Sequence, residues 1–178
     1  MIHRVALLPV MAACLLSGCN ITDVDDGRPE SAREFPEADR PVSSLGASQF
    51  ASERARDDRR EAVTVMDLAN IRKGMTVADI GAGEGYYTTR LAERVGDNGR
   101  VLAQDIDREV LQRLGSRVER ERLDNVSIKL GQEDDPGLPE ASFDRIFLVH
   151  MYHEVTEPYA FLWRLRPALN PGGQVIVV

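Results

Sequence analysis

The segment Val77-Ala-Asp-Ile-Gly-Ala-Gly-Glu-Gly85 is a short apolar run that breaks into three glycines at alternate positions. Thr76 to Ile80 has the length and apolarity of a strand buried on both faces. Glycines tolerate left-handed backbone and leave bare chain against which a ligand can lie. From Tyr86 to Val95, with Leu91 and Val95 one turn apart, the pattern predicts a helix, whose free N-terminal amides face the glycine turn. The segment therefore reads as strand, tight turn and helix, with a ligand at the turn. Gly85 stands one place too early for the Gly-x-Gly-x-x-Gly of dinucleotide folds, and no Gly-Lys-Ser/Thr follows to make a triphosphate loop.

The rest of the chain repeats the alternation. Strands are predicted over Val101 to Asp105, Val126 to Leu130, Phe143 to Val149 and Gln174 to Val178. Helices are predicted over Glu109 to Arg120, amphipathic through Val110, Leu111, Leu114 and Val118, and over Pro158 to Leu169. Gln49 to Leu68 is charged and helix-prone, and Asn170-Pro-Gly-Gly173 reads as a tight turn. This order implies an α/β domain over residues 51–178, a mostly parallel sheet with helices on both faces. Its ligands are expected beyond the carboxyl ends of the strands. The sequence ends in the apolar run Val175-Ile-Val-Val178, which would leave a hydrophobic sheet edge. The expectation is a domain cut short after strand five, in a gene that continues past Val178.

Two carboxylates can be sorted by position. Asp105 closes the second predicted strand, 24 residues after Gly81, where an acidic side chain can accept hydrogen bonds from ribose hydroxyls. Asp107 is placed to cap the following helix. Asp144 opens the fourth strand, far from the ligand end, and is assigned to structure.

Asp79-Ile-Gly-Ala-Gly-Glu-Gly85, with an acidic residue two before the first glycine, resembles motif I of the class I S-adenosylmethionine-dependent methyltransferases. Asp105, Phe143 to Val149 and the helix and turn before strand five extend the likeness over about residues 56–178. The resemblance implies a Rossmann-like methyltransferase sheet with S-adenosylmethionine as cofactor. Gly81, Ala82, Gly83 and Gly85 would face its methionine half and ribose, with Asp79 near its amino group. Asp105 would hold the ribose and Ile106 would pack on adenine. Gln132, Glu133 and Asp134 are candidates for the adenine amino group, with Glu133 preferred to Asp134. His150 would lie near the transferred methyl, and Tyr152, His153 and Glu154 would line the acceptor pocket or pack beneath the next helix. A histidine can act as a base near neutral pH. For His153, a supporting hydrogen bond is an equal alternative. The expected activity is methyl transfer to a small-molecule acceptor, the alternative being a binding module that kept the fold and lost transfer. No ligand set has persuasive metal spacing.

The N-terminus carries a different signal. Met1-Ile-His-Arg4 is basic, Val5 to Leu16 is apolar but too short to span a bilayer, and Leu16-Ser-Gly-Cys19 follows. Together these resemble a bacterial lipoprotein signal over residues 1–18. Cys19 would be the acylated first residue, and residues 19–50 a flexible tether rich in proline and acid. That implies a membrane lipoprotein, on the periplasmic face of the outer membrane in a Gram-negative cell. Both cysteines, Cys14 and Cys19, precede the domain, so no disulfide is expected within it. A net charge of -7 does not favour nucleic acid as a partner.

Overall fold

A computed structural model describes residues 27–44 and 52–178. The predicted signal and Cys19 lie outside the described residues. Two short helices, α1 (Glu53–Asp58) and α2 (Glu61–Leu68), precede the sheet. The sheet alternates with helices as β1 (Thr76–Ile80), α3 (Tyr86–Val95), β2 (Arg100–Asp105), α4 (Arg108–Glu121), β3 (Val126–Leu130), β4 (Phe143–Leu148), α5 (Pro158–Leu165) and β5 (Leu169–Val177). All neighbours pair in parallel in the order β3-β2-β1-β4-β5. The order reverses beside β1, so the ends of β1 and β4 flank the crevice where such sheets hold ligands.

Side-chain alternation along β1 divides the core. Val77 packs with Met66, Tyr87, Leu91 and Phe147 on the α2 and α3 side. Ala78 and Ile80 pack with Ile146, Phe161 and Leu165 on the α5 side. On β2, Ala103 meets Leu111 and Leu114 of α4. Helices thus cover both faces, as the alternation predicts.

Four expectations need correction. The single helix predicted over Gln49 to Leu68 is broken, because Arg60 takes a left-handed conformation at φ 56° and starts α2 afresh. The helix predicted to run to Leu169 stops at Leu165, and Pro167 continues it only as a 3-10 turn. The Asn170 to Gly173 turn lies inside β5: Phe143 pairs with Leu169 and Arg145 with Gln174, so the intervening residues bulge out. Asn170 there donates to Asp144 Oδ1, while Thr76 N donates to Asp144 Oδ2, which makes Asp144 structural as expected.

The fourth correction concerns residues 27–44, expected to be a flexible tether. They form a strap bonded across the α5 side of the domain. Arg28 donates to both oxygens of Glu157 at 2.7 Å and to the carbonyls of Ala32 and Phe35. Arg40 donates to the carbonyls of Tyr152 and Val155, and Ser43 N donates to His153 O. Ala32 is fully buried and Phe35 packs against Trp163. Proline and acid content reads as disorder because the partners on the domain, Glu157, Tyr152, His153, Val155 and Trp163, lie more than 100 residues away.

Candidate active site

Three left-handed glycines make the loop between β1 and α3, and each does so for its own reason. A Cβ on Gly85 (φ 88°) would fall 2.4 Å from Leu114 Cδ1, so the helix entry needs glycine for packing. A Cβ on Gly81 (φ 65°) would press on Met151 at 3.0 Å. Gly83 (φ 56°) faces open space, with nothing within 4 Å of such a carbon. That bare backbone borders two cavities. The larger, about 590 Å³, is lined by Gly81, Gly83, Asp105, Ile106, Glu133 and His150, among others. The smaller, about 230 Å³, is lined by Arg56, Asp79, Ala82, Gly83, Tyr86 and His150, among others. Both volumes are in or near the range of small-ligand pockets.

Asp79 is 2% exposed and accepts from Thr88 Oγ1 at 2.6 Å. Burial pushes its pKa up to about 6, against the pull of Thr88 and with the help of the Asp105 charge. Asp105, at the end of β2, accepts from Gly83 N (2.9 Å) and Asp107 N (3.0 Å), which ties the glycine loop to the strand end. Asp107 caps α4 by accepting from Glu109 N and Val110 N. Ile106, Gln132 and Glu133 also line the larger cavity.

His150 sits just past β4 with φ 54°, borders both cavities, and places Nε2 3.2 Å from Glu61 Oε1. Its neighbours Tyr152 and His153 do not share this position. Tyr152 packs into the core on the α5 side beneath the Arg40 guanidinium, 4.8 Å from the ring centroid. His153 is directed to the surface, 3.8 Å from Glu154 Oε1. Of the two places expected for the short 3-10 turn Tyr152–Glu154, Tyr152 takes the one beneath α5 and Glu154 the one on the larger cavity, while neither Tyr152 nor His153 lines that cavity, as a catalytic role for them would require. Asp134 is also corrected. Its carboxylate is 2.6 Å from Arg164 Nη1 and accepts from Ser31 Oγ, which fixes it to the strap and α5 instead of the adenine wall. Gly85 is corrected in part, since it shapes the loop without lining either cavity.

Several cavity residues had no recognised signal. Arg56 of α1 reaches the smaller cavity, 3.7 Å from the Tyr86 ring centroid, and donates to Glu61 from Nε and Nη2. In sequence it belongs to a charged stretch that reads as a solvated helix face. Met151 follows His150 into the larger cavity, and Val42, Ser43 and Ser44 of the strap close its rim. Among the described residues no group of three or more His, Cys, Asp or Glu side chains could hold a metal ion.

Comparison with known proteins agrees with this geometry. A family described as "Methyltransferase domain" matches residues 77–173, from the glycine-loop strand into β5. A protein-L-isoaspartate O-methyltransferase of Methanothrix thermoacetophila is 31% identical over 150 residues, which are 84% of this chain and 65% of that protein. A ubiquinone/menaquinone biosynthesis C-methyltransferase of Methylococcus capsulatus is 36% identical over 115 residues, 64% of this chain and 46% of the relative. The chain thus spans between about half and two thirds of these relatives. Among solved structures, a SAM dependent methyltransferase from Aquifex aeolicus superposes with a TM-score of 0.63 at 26% identity, covering 72% of each chain. Coclaurine N-methyltransferase, bound to N-methylheliamine and SAH, shares the fold at a TM-score of 0.63 and 22% identity, over 83% of this chain and 47% of that one. On the match from residue 77 to residue 173, with this sheet order and this glycine loop, the chain belongs to the methyltransferase-domain family.

Proposed function

We propose that the chain transfers a methyl group from S-adenosylmethionine to a small-molecule acceptor held beside His150. The observation that carries this reading is the donor set along the strand ends. Asp79 and Arg56 border the smaller cavity, Asp105 and Glu133 border the larger, and the bare Gly83 backbone joins the two. Carboxylates at those places suit a ligand with an ammonium and a sulfonium at one end and ribose hydroxyls in its middle. They would repel a pyrophosphate. When bound, S-adenosylmethionine supplies a methyl group on a positively charged sulfur.

This chain's residues then have distinct roles. Asp79 faces the ammonium and Arg56 the carboxylate of the amino-acid end. Asp105 accepts from the ribose hydroxyls, Ile106 packs on the adenine, and Glu133 meets its amino group. Gly81 and Gly83 let the ligand lie against the backbone. Met151, Val42, Ser43 and Ser44 form the wall against which an acceptor would be oriented, and orientation accounts for much of the rate of an in-line displacement.

The test is a transfer assay with S-adenosylmethionine carrying a labelled methyl, offered a hydroquinone and an isoaspartyl peptide, the acceptor chemistries suggested by the names of the relatives. Label on either acceptor, with stoichiometric S-adenosylhomocysteine, supports the reading. A folded protein that binds the nucleoside and transfers nothing would favour a binding module that kept the fold alone.

We also propose attachment to a membrane through acylated Cys19, on the periplasmic face of the outer membrane in a Gram-negative cell. The support is the basic start, the apolar run and the Leu-Ser-Gly-Cys ending. Mass spectrometry of the N-terminus from cells should find lipid on Cys19; an intact Met1 would refute it.

A further inference from the structure

Among the described residues only two aromatic side chains are exposed, Tyr159 at 52% and Trp163 at 57%. They stand one turn apart on the outer face of α5, while Phe161 and Leu165 of the same helix pack into the core. Arg166 continues that face, with its guanidinium 5.6 Å from the centre of the Trp163 ring. Phe35 of the strap widens the patch, 6.3 Å from the same ring. Single exposed apolar residues are ordinary. A neighbouring Tyr and Trp flanked by Arg have instead the composition found at the level of lipid headgroups, where a ring keeps one end apolar and the other wet. No helix among the described residues is long and apolar enough to cross a membrane, so contact with a bilayer would be made from one side.

The strap brings this patch next to the attachment point. Its first turn lies along α5: Arg28 donates to Glu157, Ser31 O accepts from Arg164 Nη2 at 2.6 Å, and Phe35 meets Trp163. Cys19 stands eight residues before Gly27, the first described residue of the strap, and that length of chain reaches at most about 29 Å. A lipid on Cys19 therefore keeps α5 near the bilayer, and so short a tether makes even a weak surface affinity effective. Glu30, Glu34, Glu37 and Asp39 are exposed along the same strap. The face is thus not a basic patch, and its hold on lipid would come from the rings rather than from anionic headgroups.

We propose that the outer face of α5, with Tyr159 and Trp163 at its centre and Phe35 and Arg166 at its edges, docks on the surface of a phospholipid bilayer. This rests on the attachment through Cys19 proposed above. The rings enter the headgroup region and the Arg166 guanidinium stays at its wet side. The strap runs from this contact to the rim of the larger cavity at Val42, Ser43 and Ser44, so docking fixes how the cavity mouth faces the lipid.

Trp163 is the one tryptophan of the chain, so its emission reports this face alone. The test uses full-length protein purified from cell membranes and placed on vesicles of phosphatidylethanolamine and phosphatidylcholine, some of them carrying brominated acyl chains. Flotation and mass spectrometry of the N-terminus establish the anchor, and bromine quenching reads the docking. Trp163 should be quenched more by bromine near the top of the acyl chain than by bromine at its end, because interfacial side chains enter only about 5–10 Å. Added salt should not release it. Tyr159→Ser should lower the ratio of docked to undocked protein roughly tenfold, the effect of returning half a ring to water. Leu68→Ser should leave the ratio unchanged, although Leu68 is 83% exposed, because α2 covers the other face of the sheet.

Anchored protein with unquenched Trp163 overturns the proposal. So does a blue shift without bromine quenching, which marks a protein or a second copy on the face, and so do equal losses in Tyr159→Ser and Leu68→Ser. Protein with no lipid on Cys19 overturns the attachment reading instead. The same full chain titrated with concentrated vesicles then decides the face by itself, with quenching in its favour and no quenching against it.

Discussion

Replacing Asp79 by Asn should stabilise this protein while weakening its hold on S-adenosylmethionine. Asp79 sits in the middle of the sheet at 2% exposure, with Thr88 Oγ1 donating to it. Burial is the main reason its pKa rises from 3.8 to about 6. Between those values the folded state keeps a proton that the unfolded chain has released. Stability from this group therefore falls as pH rises from about 4 to about 6, and stays lower above that. The gap corresponds to about 3 kcal/mol at pH 7.5. Asn keeps an acceptor for Thr88 and removes the charge, so Asp79→Asn should gain about 2 to 3 kcal/mol at pH 7.5 and almost nothing at pH 4. Urea unfolding of both proteins at the two pH values measures this, because the other carboxylates cancel between wild type and variant. Destabilisation at pH 7.5, or the same difference at both pH values, would refute the reasoning. The variant should also bind S-adenosylmethionine at least about tenfold more weakly, since the ammonium loses an ionised partner.

Two further substitutions separate fold from site. Gly85→Ala would place a carbon 2.4 Å from the buried Leu114 at φ 88°, and should cost about 2 to 4 kcal/mol in a thermal melt. Gly83→Ala has open space at φ 56°, so it should cost only about 1 to 2 kcal/mol yet abolish nucleoside binding in a titration. Equal melting temperatures for the two variants would contradict the division of roles. Glu157→Ala removes the carboxylate partner of the Arg28 guanidinium, whose side chain is 13% exposed beside a carboxylate 8% exposed, and leaves it the carbonyls of Ala32 and Phe35. Removing one partner of a buried pair costs about 3 to 5 kcal/mol unless the other reaches water. Release of the strap provides that escape, so hydrogen exchange should quicken over residues 27–44 and stay slow in β1 and β4. Unchanged exchange in the strap would show that other contacts hold it.

The sheet was legible because its pattern is local. Thr76–Ile80, Tyr86–Val95 and Val126–Leu130 fall where periodicity puts them, and the glycine turn lies between. Asp105, Asp107 and Asp144 were also legible, since a strand end, a helix start and a strand start each dictate what a carboxylate can reach. The errors arise where distant residues decide the outcome. Asp134 is taken by Ser31 and Arg164, respectively 103 residues before it and 30 after it. Glu61 meets His150, 89 residues away. Tyr152 and His153 share the polar character of His150, but a single 3-10 turn rotates them off the cavity wall, and no periodicity announces so short an element. The break at Arg60 has a similar cause, for a lone left-handed arginine leaves no mark in a charged run.

The central claim is that the carboxylates at the strand ends hold S-adenosylmethionine, and a calorimetric titration of that nucleoside into the full chain and its Asp105→Ala variant tests it most directly. Asp105 is expected to accept two ribose hydrogen bonds, each worth about 1.5 kcal/mol or more when the acceptor is charged. Saturable binding by wild type, weakened about 100-fold in a variant that still unfolds cooperatively, is the predicted result. Equal affinity in the two proteins, or no binding by a folded wild type, would contradict it.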